Sequence, residues 1–186
     1  MPSQNPPTVS LIGSFNWLPT AAAGLRVLTR LWPAILAECP DARLQLVGHS
    51  AGSVLASFGG KVPVGVSVAE NVPDILPYFH NTDVLLYPAR LASGMKVKVL
   101  EAFALGVPVV TTSAGVEGLP ACDGVHAGIA EDDAGLIART VSLLRNSTTR
   151  QKQGVAAREL VENYCSPART LDLLEGVYQS MVSVTP

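Results

Sequence analysis

Six short apolar runs recur along the chain, at residues 8–13, 43–48, 64–68, 83–87, 108–111 and 127–130. Runs this short and this rich in β-branched residues suit strands better than buried helices. Helical patterns stand between them, and strands alternating with helices pair in parallel through crossover connections. The expected fold class is therefore α/β: a Rossmann-like, doubly wound parallel sheet. Ligands of such a sheet sit beyond the carboxyl ends of its strands.

The helical patterns are explicit. Over residues 20–36, Leu25, Leu28, Trp32 and Ile35 fall on one face, and over 95–105 an arc of Met95, Val99, Leu100, Phe103 and Ala104 has the spacing of a buried stripe, closed by Gly106. After residue 130, Glu131, Asp132 and Asp133 place negative charge at a helix start, followed by Ile137, Ala138, Val141 and Leu144 on one side. A further helix is expected over 148–164. The last opens with Ser166 as N-cap and Pro167 at its first position, and carries Leu171, Leu174, Tyr178 and Met181 in a stripe. Residues 1–7, polar and proline-rich, read as a linker or tail, and residues 8–186 as one domain.

Composition excludes several function classes. With 48% hydrophobic and 15% charged residues the chain is too apolar to be disordered, and a formal charge of -2 without a basic stripe argues against nucleic acid as a partner. No apolar run reaches the ~18 residues of a membrane span, and no secretory leader pattern opens the sequence. Cys39, Cys122 and Cys165 are odd in number and far apart, and His49, His80 and His126 lack ligand spacing, so neither a disulfide framework nor a metal site is expected. A reducing, cytoplasmic setting fits.

The chemistry concentrates in residues 87–118. Ser93, Gly94, Met95 and Lys96 open a helix, where unpaired N–H groups and the helix dipole favour an anion such as a diphosphate. Gly94 permits close approach to the backbone, and Arg90, Lys96 and Lys98 offer positive charge; the plainer alternative is a tight turn with solvated lysines. Gly13 and Ser14, after the first strand, are placed to line the same cleft through their backbone. Glu101 lies off the apolar arc, three positions after Lys98, so it can face the loops or form a surface ion pair worth a few tenths of a kcal/mol. A competing motif is Gly48-His49-Ser50-Ala51-Gly52, a nucleophile elbow in form, with Asp83 and His126 following in the order of an α/β-hydrolase triad. Against an esterase built on Ser50, only one strand precedes the motif, and no oxyanion-hole segment of the HGGG type appears.

The run from Lys98 through Glu101-Ala102-Phe103-Ala104-Leu105-Gly106-Val107-Pro108-Val109-Val110 to Thr112, with Gly115 and Glu117-Gly118 beyond it, resembles the signature of retaining GT-B fold glycosyltransferases of the glycosyl transferases group 1 family. The resemblance covers residues 9–178 and places the chain in the C-terminal, nucleotide-sugar-binding half. It implies that Glu101 accepts hydrogen bonds from the ribose hydroxyls, as the second glutamate of a pair eight positions apart. The first of that pair would fall at Ser93, which puts the usual hexose contact in question, although Arg-x-x-Ser-Gly-x-Lys-x-Lys is similar to a subgroup of such enzymes. Relatives also carry a basic pair after the first strand. Here residues 14–20 contain no basic residue, leaving the diphosphate to Arg90, Lys96 and Lys98. Gly13, Ser14, Arg90, Ser93, Gly94, Met95, Lys96, Lys98 and Glu101 are thus the expected nucleotide-sugar contacts. The resemblance further implies a UDP or GDP sugar as donor, no cofactor, no metal, and an N-terminal domain, absent from this sequence, that brings a saccharide or lipid-linked acceptor, as in polysaccharide biosynthesis. Through that domain the enzyme would be peripheral at a membrane. A non-catalytic nucleotide-sugar-binding module is the alternative within the same resemblance.

Overall fold

The computed structural model describes residues 6–91 and 94–182. Six strands, β1 (Thr8–Ile12), β2 (Arg43–Gly48), β3 (Val66–Glu70), β4 (Val84–Tyr87), β5 (Val109–Thr111) and β6 (Gly128–Ile129), form one sheet in the order β3-β2-β1-β4-β5-β6. Every pairing is parallel, with Val9 opposite both Leu44 and Val84, and Leu11 opposite Leu46. The helices are α1 (Leu18–Arg26), α2 (Trp32–Glu38), α3 (Leu76–His80), α4 (Val97–Ala104), α5 (Asp133–Arg145), α6 (Ser147–Tyr164) and α7 (Pro167–Val182). This is the expected doubly wound sheet, and its order reverses direction between β1 and β4. Val9, Leu11, Leu44, Leu46, Leu85 and Val110 are fully buried, because a strand between two helical layers has no wet face. Most of the expected linker, residues 1–5, lies outside the described residues; Pro7 already belongs to the sheet margin, its carbonyl accepting from the Arg43 amide at 2.9 Å.

Three local departures from the sequence reading have identifiable causes. The third strand begins at Val66 rather than at residue 64, because Gly65 turns the chain at φ +73 and leaves Val64 80% exposed, its carbonyl accepting from the Trp32 indole at 2.9 Å. The first helix spans more than residues 20–36 and is not uniform: a π-helical turn at Val27–Leu31 joins α1 to α2, with the Trp32 amide bonding the Val27 carbonyl five residues back. Pro33 causes this, since it has no N–H to give Thr29 and its ring presses on that carbonyl. The extra residue in that turn shifts the inward face, so Leu28, Trp32 and Ile35 are buried as expected while Leu25 is 39% exposed. Finally, α4 begins at Val97 with Lys96 as its N-cap, so Met95 precedes the helix and is exposed; the buried stripe is Val99, Ala102 and Phe103, and Ala104 faces out.

The C-terminal helices follow their caps. Asp132 accepts from the Gly135 amide at 2.7 Å and starts α5, whose buried face is Leu136, Thr140, Val141, Leu143 and Leu144 rather than one including Ala138. Asn146 caps α6 through the Thr149 amide at 2.9 Å, and Ser166 caps α7 through Arg169 at 3.3 Å. The stripe of Leu171, Leu174, Tyr178 and Met181 forms on α7, yet no residue of that helix is buried.

One buried cation holds the two halves of the sheet's rim together. Arg26, only 8% exposed, bonds the Asp133 carboxylate through Nε at 2.7 Å, the Pro88 carbonyl at 3.3 Å and the Glu131 carbonyl at 3.0 Å. Partial burial pushes the Asp133 carboxyl up, but the hydrogen bonds and charges of Arg26 and Arg30 outweigh it and hold the group below its ordinary value. A depressed carboxylate adds stability that is complete above its unfolded pKa and is lost as pH falls through the lowered one. Arg26→Met should cost about 2–3 kcal/mol at neutral pH, near the lower end for breaking a buried pair because Asp133 keeps access to water. Denaturant melts at pH 7 and at pH 3 check both parts: the gap between variant and wild type should narrow at the acid end.

Candidate functional site

The loops that leave β1 and β4 diverge at the point where the strand order reverses, and between them lies a cleft of about 310 Å³. Gly13, Ser14 and Trp17 form one wall, Thr20 and Tyr87 the floor, and Met95, Lys96, Val97 and Lys98 the opposite wall. Glycine is required behind the first wall. Gly48, the last residue of β2, sits at φ +133, and a Cβ built there would overlap the Gly13 carbonyl, so the two chain segments meet backbone to backbone. The Gly13 amide bonds the Val47 carbonyl at 2.9 Å and the Phe15 amide the His49 carbonyl at 2.8 Å, which fixes the wall's course. On the floor, burial raises the Tyr87 phenol above its ordinary value, and the 2.8 Å hydrogen bond to Thr20 offsets this only in part. Tyr87 is therefore a neutral, packed part of the floor at physiological pH and no general base.

The first turn of α4 points its N-terminus at this space. Lys96 O takes the amides of Val99 and Leu100 at 2.9 and 3.1 Å, whereas the N–H groups of Val97 and Lys98 make no hydrogen bond among the described residues. Gly13, Ser14, Met95, Lys96 and Lys98, all expected from the sequence, are brought together here. Ser93 lies outside the described residues. Gly94 adjoins the wall at φ +83, and Arg90 is exposed on the loop after β4, beyond the residues that line the cleft. Glu101 stands one turn into α4, and its carboxylate is 2.7 Å from the Lys98 ammonium, so the surface-pair geometry forms with Lys98 facing the cleft.

Two features escape the sequence reading. The carboxylate of Glu117, from the loop after β5, accepts from the Gly94 amide at 2.7 Å and lies 3.6 Å from the Lys96 ammonium. The Gly94 amide thus already has an anionic partner, a carboxylate of the chain itself. Lys96, 7% exposed, also donates to the Gly94 carbonyl, so both lysines of the cleft already have partners. The available signal was positional: β4 and β5 are neighbours, so the loops at their carboxyl ends converge. The other is Trp17, which caps α1 and lines the cleft with 55% of its surface exposed.

The elbow at Ser50 does not assemble a hydrolase. Ser50 adopts the left-handed conformation at φ 55 and its Oγ lies 3.0 Å from Nδ1 of His49, which also meets Asn16 at 2.9 Å. Asp83, however, sits at the start of β4, bonded to the Thr8 amide at 2.8 Å and paired with Arg150 at 3.1 Å. Ser50 follows the opposite end of β2, so roughly 20 Å of strand rise separates the two carboxyl and hydroxyl groups. His126 serves a turn instead, accepting from the Cys122 amide at 2.9 Å. Among the described residues no cluster of three His, Cys, Asp or Glu could hold a metal ion, and no helix is long and apolar enough to cross a membrane.

Comparison with known proteins agrees with this architecture. The sequence profile of the family described as Glycosyl transferases group 1 matches residues 6–146. No curated protein matches the chain by sequence. Among solved structures, a glycosyltransferase from Rickettsia africae superposes with a TM-score of 0.74 at 16% identity, covering 99% of this chain and 50% of that one. HepE from Anabaena, solved with UDP-glucose, gives 0.70 at 14% identity over 98% of this chain and 50% of its own. The C-terminal domain of LpcC, a glycosyl transferase group 1 protein from Francisella tularensis, gives 0.65 at 14% identity and 88% coverage of both chains. The chain therefore spans about half the length of the two longer proteins. At these identities the structures establish the fold, and the profile, which spans most of the chain, establishes the kinship: the protein belongs to the glycosyl transferases group 1 family and has the Rossmann-like fold of a GT-B glycosyltransferase half.

Proposed function

We propose that this chain is the donor-binding half of a glycosyltransferase, which holds a nucleoside-diphosphate sugar while the sugar passes to an acceptor on a second, N-terminal domain. The observation that carries the reading is the cleft at the switch point, lined by the first turn of α4, whose Val97 and Lys98 N–H groups have no partner among the described residues, beside Lys96 and Lys98. A diphosphate suits that end of a helix, and in the transferase its developing charge as leaving group would be stabilised there. Glu101, reaching the cleft through Lys98, is the carboxylate for the ribose diol, since two acceptor oxygens meet two hydroxyl donors. UDP or GDP is the expected nucleotide, and HepE was solved with UDP-glucose. The exposed stripe of α7 and the half-length match to the Rickettsia structure support a second domain that brings a saccharide or lipid-linked acceptor, in polysaccharide assembly on the cytoplasmic side of a membrane.

The chain reports on its own cleft. Of its two tryptophans, Trp32 is buried and Trp17 lines the cleft half-exposed, so a ligand there should alter Trp17 emission in a saturable way. Titration with UDP, GDP and ADP sugars should give such a curve with one nucleotide class; silence with all three, confirmed by calorimetry, removes the proposal. Glu101→Ala should then weaken that ligand about 10- to 100-fold, the scale of lost charge-assisted hydrogen bonds, with little change in thermal stability. Unchanged affinity would leave Glu101 as a surface partner of Lys98.

A further inference from the structure

The loop after β5 brings Glu117 to the rim of the cleft in a defined pose. Its Oε2 accepts from the Gly94 amide at 2.7 Å and faces the Lys96 ammonium at 3.6 Å, while Oε1 makes no hydrogen bond among the described residues. The side chain is 39% exposed, whereas Lys96 behind it is almost wholly covered. Residues 117 and 118 lie against the cleft wall: a Cβ added to Gly118 would stand 3.4 Å from the Met95 methyl, and Met95 and Lys96 line the cleft.

A carboxylate held by one oxygen with the other free is a rigid acceptor. It is a poor neighbour for phosphate, which it would repel, and a good one for hydroxyl groups, which have protons to give. We infer that Glu117 is a specificity-determining residue that binds a hydroxyl of the transferred sugar through Oε1, while the Lys96 ammonium and the Gly94 amide hold its carboxylate in place. This rests on the reading of the cleft as a nucleotide-sugar site and adds the residue that distinguishes sugar nucleotide from free nucleotide. It also gives Lys96 a positioning role in place of direct phosphate binding: a buried ammonium beside a carboxylate leaves the pair close to neutral, with the backbone N–H groups of Val97 and Lys98 left for the anion.

The test compares two ligands on one protein. Affinities of UDP and UDP-glucose, or of GDP and GDP-mannose if the guanine nucleotide is the one that binds, are measured by calorimetry for wild type, Glu117→Gln and Glu117→Asp. Glutamine preserves shape but loses the charge, and aspartate preserves charge but draws the acceptor back by one methylene. Both variants should weaken the sugar nucleotide about tenfold and leave the free diphosphate within about twofold. Equal weakening of both ligands, or no change in either, overturns the inference while leaving the nucleotide site in place. Failure of both variants to fold would make Glu117 a staple of the loop and overturns it as well. A wild type that binds neither ligand class refutes the underlying reading, and with it this one.

Discussion

Replacing Gly48 with alanine should destabilise the domain by roughly 3–5 kcal/mol, from backbone strain and overpacking together. Its φ of +133 is one that an L-residue adopts only under strain, and the added Cβ would overlap the Gly13 carbonyl oxygen, an atom of backbone with no rotamer to retreat into. Relief would require parting the loops that follow β1 and β2, which breaks the Gly13–Val47 and Phe15–His49 hydrogen bonds and opens one wall of the cleft. Urea melts of the variant should show a midpoint far below wild type with little change in slope. Gly59→Ala, at φ +62 with nothing within 4 Å of the added Cβ, is the control for a left-handed residue without a clash and should cost about 1–2 kcal/mol. Equal losses at the two positions would show that the loop contact is slack.

The second large effect concerns turnover. On the proposed division of labour, this polypeptide binds donor but does not position an acceptor, and positioning supplies roughly 7–11 kcal/mol of a barrier. Transfer by the chain alone should therefore fall at least five orders of magnitude below that of a complete two-domain enzyme. Incubating the chain with radiolabelled donor and a panel of free and lipid-linked saccharides, with and without a co-expressed N-terminal domain, measures the difference. Robust transfer by the chain alone would mean that one domain holds both substrates.

How far the sequence revealed all this depends on the range of the interactions concerned. Strand existence and order of type were legible because Val9, Leu11, Leu44 and Leu46 sit in runs that no exposed segment would carry. The start of β3 was not, because Val62, Val64, Val66 and Val68 share one phase and only the left-handed turn at Gly65 tells them apart. Leu25 was misplaced by a π turn whose cause, Pro33, lies eight residues on. The Lys98–Glu101 pair was readable from spacing alone, being local. Glu117 on Gly94 and Arg26 on Asp133 join residues 23 and 107 positions apart, and no local period encodes such meetings. The elbow at Ser50 shows the converse: five residues reproduce a motif, and the distant partners that would give it chemistry are elsewhere.

The pairing of both cleft lysines bears on how fast a ligand can be caught. Lys96 and Lys98 each stand beside a carboxylate, so at distances beyond a Debye length, about 8 Å in physiological salt, their fields largely cancel. A dianionic nucleotide approaching this cleft feels little guidance until it touches the walls. Association would then proceed at the unsteered rate set by orientation, about 10⁵–10⁷ M⁻¹s⁻¹, and vary little with ionic strength. Discrimination between ligands falls to their rates of departure, governed by short contacts such as the N–H groups at the head of α4.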